Sequence, residues 1–382
     1  MADATAHRSA LSVALAGLIA LAVAMGIGRF AFTPILPMMQ EDAGVSIAMG
    51  GWLASANYVG YLAGALSVIW WRIGATTGIR VGLATIGLAT LAMGLEHHFA
   101  LWVVLRALAG VASAWVLIYV SAWCLESLAS LGRPGLGSTV YAGVGAGIAL
   151  AGALCLALMR AGAGSARAWI VLGALAIVLS LAIWTVVRPR AGSPAAEAER
   201  SGARGMVWDR ESLRLVLCYG AFGFGYIIPA TFLPVMAKQA IADPAVFGWS
   251  WPVFGAAAMG STLGTAILRG FITNRRLWIA SHLVMAFGVA LPIVWSGITP
   301  IMLAALCVGG TFMVITMVGM QEARSVAGAR ATGLMAAMTS TFALGQIAGP
   351  ISVSLVVGAG GNVSAALVIA CIVLVVSAYA LS

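Results

Sequence analysis

The stretch G-I-G-R-F-A-F-T-P-I-L-P runs from Gly26 to Pro37 inside a long apolar segment. A related stretch, G-F-G-Y-I-I-P-A-T-F-L-P, runs from Gly223 to Pro234, an offset of 197 residues (223 − 26). Further matches follow in the same order along the chain. At this offset Gly51-Trp52 matches Gly248-Trp249, and Gly152 matches Gly349; at an offset one residue shorter, Glu126, Gly132 and Gly137 match Glu322, Gly328 and Gly333. The shared order indicates that the second half of the chain repeats the first half.

The composition excludes a soluble globular protein. Of the 382 residues, 62% are hydrophobic and 8% are charged, and the mean hydropathy is +1.05. In a soluble domain about a quarter of all residues are charged. The apolar residues come in unbroken runs of about 20, the length with which an α-helix crosses a bilayer, whereas a membrane β-barrel needs alternation. The sequence therefore predicts an all-α membrane protein.

The apolar runs predict twelve transmembrane helices in two six-helix halves. We assign residues 1–187 to the first half and 211–382 to the second half. The polar segment 188–210 is rich in Arg, Gly, Ala and Glu and is predicted to be a flexible linker. The predicted spans are 10–38, 48–70, 78–95, 100–126, 136–159 and 168–187, then 211–237, 247–268, 277–296, 299–320, 331–358 and 364–381.

The basic residues predict the orientation in the membrane, because cytoplasmic loops carry an excess of Lys and Arg. One side holds only Arg160, Arg167 and Lys238. The other side holds fifteen arginines: Arg8, Arg72, Arg80, Arg133, Arg188, Arg190, Arg200, Arg204, Arg210, Arg214, Arg269, Arg275, Arg276, Arg324 and Arg330. We therefore expect a multi-pass protein of a bacterial inner membrane, with both termini and the linker in the cytoplasm.

An even, six-span repeat gives both halves the same orientation, so that they can enclose a central path around an axis normal to the membrane. Rocking one half against the other then exposes that path to each side in turn. A channel or a receptor gives no reason for such a duplication. The repeat therefore predicts secondary transport of a small solute.

Several motifs are similar to those of the major facilitator superfamily, and the likeness covers the whole chain. Arg106, Gly110 and Ala114 in span 4 resemble its R-x-x-x-G-x-x-x-A pattern. The stretch G-V-G-A-G-I-A-L-A-G, which ends at Gly152, resembles its Gly-rich antiporter motif, and G-Q-I-A-G-P, which ends at Pro350, is a second version. The stretches G-I-G-R-F-A-F-T-P-I-L-P-M-M and G-W-L-A-S-A-N-Y-V-G-Y-L-A-G resemble the YbfB/YjiJ-type subfamily. The resemblance implies the twelve-helix major facilitator fold.

The loop after span 2 departs from the superfamily. Its usual G-x-x-x-D-R-x-G-R is reduced to Trp71, Arg72, Ile73 and Gly74, followed by Arg80, with no Asp. Arg72 stays a candidate gating residue, but a gate that depends on that Asp lacks its acid here.

Arg29 is predicted near the middle of span 1, where an ionised Arg costs roughly 2.5–3.5 kcal/mol. A cavity, a partner or a substrate should therefore face it. Gly26, Arg29 and Thr33 would share one face of a regular α-helix, and Pro34 and Pro37 free backbone carbonyls just beyond. We predict that Arg29 and Thr33 line the substrate path. The alternative is a structural Arg that bonds carbonyls of a neighbouring helix.

Arg106 lies about six residues inside the outer end of span 4, so it either lines the path or extends to the interface. No Asp or Glu is predicted at mid-membrane depth. Two cations without acids favour an organic anion, for which Arg is a bidentate partner. The alternative is proton-coupled efflux of hydrophobic or drug-like compounds, which the Gly-rich motif of span 5 favours.

Polar and aromatic residues on two further spans are candidates to hold the body of an amphipathic or aromatic substrate. Ordinary helix packing is the alternative for the aromatic stripe. The candidates are Asn57, Tyr58 and Tyr61 in span 2 and Tyr219, Phe222 and Tyr226 in span 7.

Charges and glycines near the span ends are candidates for gating. Glu126 and Glu322 occupy equivalent cytoplasmic positions in the two halves and are followed by Arg133 and Arg324. The glycine motifs allow helices to approach closely. The gating candidates are Arg72, Glu126, Arg133, Gly152, Glu322, Arg324, Gly349 and Pro350.

Other chemistry is not expected. The glycines of span 5 lie within an apolar run with no strand before them, so they do not form a nucleotide loop. His97, His98 and His282 lack the spacing of metal ligands. No nucleophile motif or Walker loop is present, so we expect neither an enzyme nor a cofactor. The expected partners are a small-molecule substrate and membrane lipids, without nucleic acid, and the protein is expected to be a monomer.

Overall fold

The computed structural model describes residues 9–71, 73–188, 208–240, 249–268, 271–295, 297–358 and 363–382. Arg72 and most of the predicted linker lie outside these ranges. The described residues form helices and no strands. The membrane helices are α1 (Ala10–Asp42), α2 (Ile47–Trp70), α3 (Ala75–Leu95), α4 (Phe99–Ser130), α5 (Gly137–Arg160), α6 (Ser165–Ile183), α7 (Arg210–Ala240), α8 (Ser250–Leu268), α9 (Asn274–Val294), α10 (Ile298–Ala327), α11 (Ala331–Gly358) and α12 (Val363–Leu381).

Ten apolar stretches of the described residues are long enough to cross a membrane. One of them, Ile298–Val353, contains α10 and most of α11, and α8 adds another helix of 19 residues. Each of the twelve predicted spans therefore corresponds to a helix of the structure. The ends of α4 and α10 lie farther out than predicted, so Glu126 and Glu322 are within these helices rather than at their ends.

The packing repeats from one half to the other. In the first half α1 packs on α5, α2 on α4, and α3 on α6; in the second half the equivalent pairs are α7 on α11, α8 on α10, and α9 on α12. The halves meet through α2 against α11 and through α5 against α8, which are again equivalent pairs. The bundle is therefore two similar six-helix units around a central boundary.

Glycines allow the helices to approach closely at this boundary. A Cβ atom at Gly145 of α5 would lie 2.3 Å from the backbone nitrogen of Met259, and one at Gly255 of α8 would lie 2.3 Å from the backbone nitrogen of Ala149. Such contacts leave no room for side chains, so α5 and α8 meet backbone to backbone.

Candidate functional site

The middle of α1 is not a regular α-helix. Residues Ala22–Phe30 form a π-helical segment of nine residues, with α-helix before and after it. Such segments are rare and occur frequently at functional sites. Pro34 lacks an N–H, so the i→i+5 bond of a π-helix cannot form to the carbonyl of Arg29. The segment therefore presents carbonyl groups that other side chains must satisfy.

The side chain of Arg29 is buried at the boundary of the two halves and only 4% exposed. Its Nη2 donates a hydrogen bond to Oε1 of Gln346, on α11 of the other half. Its Cζ lies 4.0 Å from the ring centroid of Tyr61 and 5.5 Å from that of Tyr58. In the described part of the chain no carboxylate pairs with Arg29, and its Nε and Nη1 lack hydrogen-bond partners. The cation is thus held by rings and a neutral amide.

Arg106 has a different environment. It is 3% exposed, so it does not extend to the interface. Its Nη1 donates to the carbonyl of Gly28 over 3.2 Å and its Nη2 to that of Arg29 over 3.5 Å, and its Cζ lies 4.6 Å from the ring centroid of Phe32. From the same helix Ser113 Oγ donates to the carbonyl of Ala24 over 2.8 Å. The side chains of α4 therefore satisfy the π segment.

The span 2 candidates divide between these two arginines. Tyr58 and Tyr61 contact Arg29, as above. Asn57 is fully buried and its Nδ2 donates to the carbonyl of Arg106 over 3.0 Å, while its Oδ1 has no partner among the described residues. Asn57 thus connects α2 to α4.

One local prediction is wrong. Gly26, Arg29 and Thr33 do not share a face, because the π segment interrupts the α-helical spacing. A Cβ atom at Gly26 would lie 2.4 Å from the backbone of Gly147 on α5. Arg29 points toward α2 and α11 instead, and Thr33 is exposed.

The second half contributes rings on the other side of the boundary. Tyr226, the repeat equivalent of Arg29, lies within electrostatic range of Arg29 and stacks on Phe312 with centroids 5.2 Å apart. Phe254 stacks on Phe312 at 5.4 Å, and Trp251 on Phe254 at 5.4 Å. The interplanar angles are 18°, 18° and 12°. We call these four rings of α7, α8 and α10 the ring column.

The other members of the predicted stripe lie deeper in the second half. Tyr219 packs edge-on against Trp278, with centroids 6.1 Å apart, and Phe222 packs against Phe342 at 5.0 Å. Both side chains are buried. Tyr226 is the one residue of the stripe that belongs to the ring column. Phe222 touches the column through Tyr226, with ring centroids 5.9 Å apart, and the other contacts of Tyr219 and Phe222 are those of core residues.

The charged candidates at the ends predicted to be cytoplasmic interact with residues of other helices. Arg324 of α10 lies within electrostatic range of Glu126, which is on α4 of the other half. Glu322 lies 3.6 Å from Arg275 of α9, and Arg275 also pairs with Glu211 of α7. The Glu126 contact therefore crosses between halves, whereas the Glu322 network stays within the second half. Arg133 is exposed after α4.

The repeated glycines differ in what they contact. A Cβ atom at Gly152 would lie 2.9 Å from Cδ of Pro252, across the boundary between halves. One at Gly349 would lie 2.3 Å from Cγ2 of Ile227, within the second half, one residue before Pro350 of α11. Equivalent sequence positions thus have unequal surroundings.

Comparison with known proteins identifies the family. The model of the family described as uncharacterised MFS-type transporter YbfB matches residues 21–382. The chain belongs to this family. It is accordingly a multi-pass membrane protein of the MFS transporter type and not an enzyme.

Two further similarities were found, one in sequence over part of the chain and one in fold. The uncharacterized MFS-type transporter YceJ of Bacillus subtilis (strain 168) is 33% identical over 97 residues, which cover 24% of each protein. The match thus spans about a quarter of the curated relative. The crystal structure of the MFS transporter FucP in the outward conformation superposes with a TM-score of 0.73 at 14% identity, covering 96% of this chain and 98% of that one. The predicted fold is confirmed.

Sequence reasoning missed Gln346, which accepts the hydrogen bond of Arg29, and it missed Phe312 and Trp251 of the ring column. In the sequence Gln346 appears only as part of a glycine motif, and neither Trp251 nor Phe312 is a predicted site residue. A buried Gln in an apolar span is a detectable signal, because its amide needs a partner. The aromatic residues gave no signal, since rings in apolar spans ordinarily pack.

Proposed function

We propose that this YbfB-type protein is a secondary active transporter that moves a small organic anion across a bacterial inner membrane by alternating access. The observation that carries the proposal is the state of Arg29. A buried cation at the boundary between halves has neutral polar neighbours, the amide of Gln346 and the hydroxyl of Tyr61, and among the described residues its Nε and Nη1 have no acceptor within hydrogen-bonding geometry. A carboxylate placed there would accept both N–H groups and neutralise the charge.

The position of Arg29 supports a role in alternating access. Its hydrogen bond to Gln346 joins α1 of the first half to α11 of the second half. A substrate that takes up the Arg29 donors would interact with both halves at once. Binding at such a site can bias the relative position of the halves, since a ligand shifts an equilibrium by its differential affinity for the two states.

A second candidate function is proton-coupled efflux of hydrophobic or drug-like compounds. The ring column favours it, because aromatic side chains can stack on many flat apolar molecules. The two candidates differ in their need for Arg29. An anion needs the cation, whereas a neutral apolar compound gains nothing from it.

The test uses the purified protein reconstituted in proteoliposomes. A panel of carboxylates, sugars and drugs is first screened for thermal stabilisation, since a ligand of the native state raises the melting temperature. Uptake of a stabilising anion is then compared between the wild type, Arg29→Lys and Arg29→Ala. We expect weaker transport with Lys, which lacks the planar fork, and none with Ala.

Arg167→Ala serves as the control, because this arginine lies near the outer end of α6 and is exposed. Each variant is checked for monodispersity, and the molecular mass of the monodisperse species tests the expected monomeric state. Wild-type transport by well-folded Arg29→Ala protein, or a substrate that proves to be a cation, contradicts the anion proposal.

A further inference from the structure

The two halves present different chemistry to the boundary between them. Arg29 and the ring of Tyr58 come from the first half, and the ring column comes from the second half. Phe30, adjacent to Arg29, links the two sides: its ring centroid lies 6.2 Å from that of Phe312 and 6.5 Å from that of Trp251. A cation and stacked rings therefore lie within one small region.

We propose that the substrate of this site is a planar aromatic carboxylate, with its carboxylate on Arg29 and its ring against Phe30 and the ring column. This inference rests on the proposed anion transport and narrows it to one substrate class.

The partly exposed rings near Arg29 indicate where the ring of the substrate would lie. Phe30, Tyr58, Trp251 and Phe254 are partly exposed although they contact other rings at the boundary, whereas Phe312 is buried. Ring faces that a ligand could contact therefore belong to Phe30 and Tyr58 beside Arg29, and to Trp251 and Phe254 in the ring column. A flat ring gains from stacked or edge-to-face contacts with such faces, with centroids about 4.5–7 Å apart.

The indole N–H of Trp251 is a second donor that could bind the substrate. The Nε1–H of Trp251 is buried and has no hydrogen-bond partner among the described residues. Buried donors are ordinarily satisfied, so an acceptor on the ligand is the natural partner. An aromatic acid with a ring hydroxyl would place its carboxylate on Arg29 and that oxygen near Trp251.

Four probe compounds separate the contributions of charge, ring and hydroxyl. Benzoate has the ring and the charge, cyclohexanecarboxylate has the charge without the aromatic face, benzyl alcohol has the ring without the charge, and 4-hydroxybenzoate adds the second oxygen. Equilibrium binding of labelled benzoate to the purified protein, with competition by the other three, gives the relative affinities. We expect benzoate to bind about two- to tenfold more tightly than cyclohexanecarboxylate, benzyl alcohol not to compete, and 4-hydroxybenzoate to bind best.

Variants connect these preferences to the named rings. Phe30→Leu should weaken benzoate binding and leave cyclohexanecarboxylate unchanged, because Phe30 is partly exposed beside Arg29, whereas a merely structural defect would weaken both. Phe287→Leu is the matched control, because that ring is 62% exposed on the outside of α9. Trp251→Phe keeps a ring but removes the N–H, so it should abolish the advantage of 4-hydroxybenzoate over benzoate and leave benzoate binding intact.

The outcomes distinguish a failure of the aromatic substrate class from a failure of anion transport. Equal binding of benzoate and cyclohexanecarboxylate, both lost in Arg29→Ala, overturns the aromatic class and leaves anion transport standing. Competition by benzyl alcohol that survives Arg29→Ala overturns anion transport itself. Absence of binding by both aromatic acids at millimolar concentration also overturns the aromatic class, while the transport assay with the wider panel decides the anion function independently.

Discussion

The guanidinium of Arg106 donates to the carbonyl oxygen of Gly28 over 3.2 Å, one residue before Arg29 in the π segment of α1. Two buried arginines therefore lie close together and make different kinds of contact. Arg106 donates to two backbone oxygens and holds the segment, with its Nε alone unpartnered, whereas Arg29 donates to Gln346 and has no acceptor for its Nε and Nη1 among the described residues.

The same substitution should consequently have unequal effects on stability at these two positions. Arg106→Met leaves buried carbonyls without their donors, which costs about 1–3 kcal/mol, so the melting temperature should fall. Arg29→Met removes a buried charge that has no carboxylate partner in the described structure, and such replacements are often neutral or stabilising. Thermal unfolding of both proteins in one detergent measures the difference. A larger loss in Arg29→Met than in Arg106→Met contradicts this division of roles.

Gln346→Glu should place a carboxylate beside the Arg29 guanidinium. The internal ion pair then competes with any anionic ligand, so we expect at least tenfold weaker anion binding, equivalent to about 1.4 kcal/mol. Gln346→Met, the control, removes the amide but leaves the cation available, and should retain binding. The ligand-induced rise in melting temperature reports both results. Undiminished anion binding in Gln346→Glu places the anion elsewhere.

Gly60→Ala should destabilise the first half. A Cβ atom at Gly60 would lie 2.1 Å from the carbonyl oxygen of Ala107, so α2 and α4 must separate, and overpacking typically costs 1–3 kcal/mol. Gly51→Ala is the matched control on the same helix, since no atom lies within 4 Å of its Cβ position. The melting temperature should fall for Gly60→Ala and remain or rise for Gly51→Ala. Equal changes in the two variants would refute the close contact.

Glu126→Gln should shift the balance between inward-facing and outward-facing states, because its electrostatic partner Arg324 belongs to the other half. Glu322→Gln should shift it less, because Arg275 belongs to the same half. Labelling of single cysteines placed on the two sides of the membrane, in each background, compares accessibility from each side. The prediction fails when Glu322→Gln has the larger effect or when neither variant changes labelling.

The excess of arginines on one side predicts that both termini and the 188–210 linker are cytoplasmic. Reporter fusions at Ser193 and Ser382 should read cytoplasmic, and a fusion at Asp243 should read periplasmic. The fusions must retain transport-competent protein for the comparison to count. A periplasmic reading at Ser193 reverses the proposed orientation.

The sequence by itself determined the membrane class, the two repeated halves and the helix positions to within a few residues. These follow from run length and from the 197-residue offset, and neither depends on contacts between distant residues. The sequence also identified Arg29 as a residue whose placement in the membrane costs free energy. An ionised side chain in an apolar span needs polar or charged partners, however the helix packs.

Only the tertiary structure decided what surrounds that side chain. The π segment changes which residues share a face, so the predicted grouping of Gly26, Arg29 and Thr33 failed. Gln346 lies 317 residues away along the chain, and the ring column gathers residues from three helices of the second half. Side chains that meet across helices depend on the rotation and depth of each helix, and apolar periodicity does not fix these when every face of a span is hydrophobic.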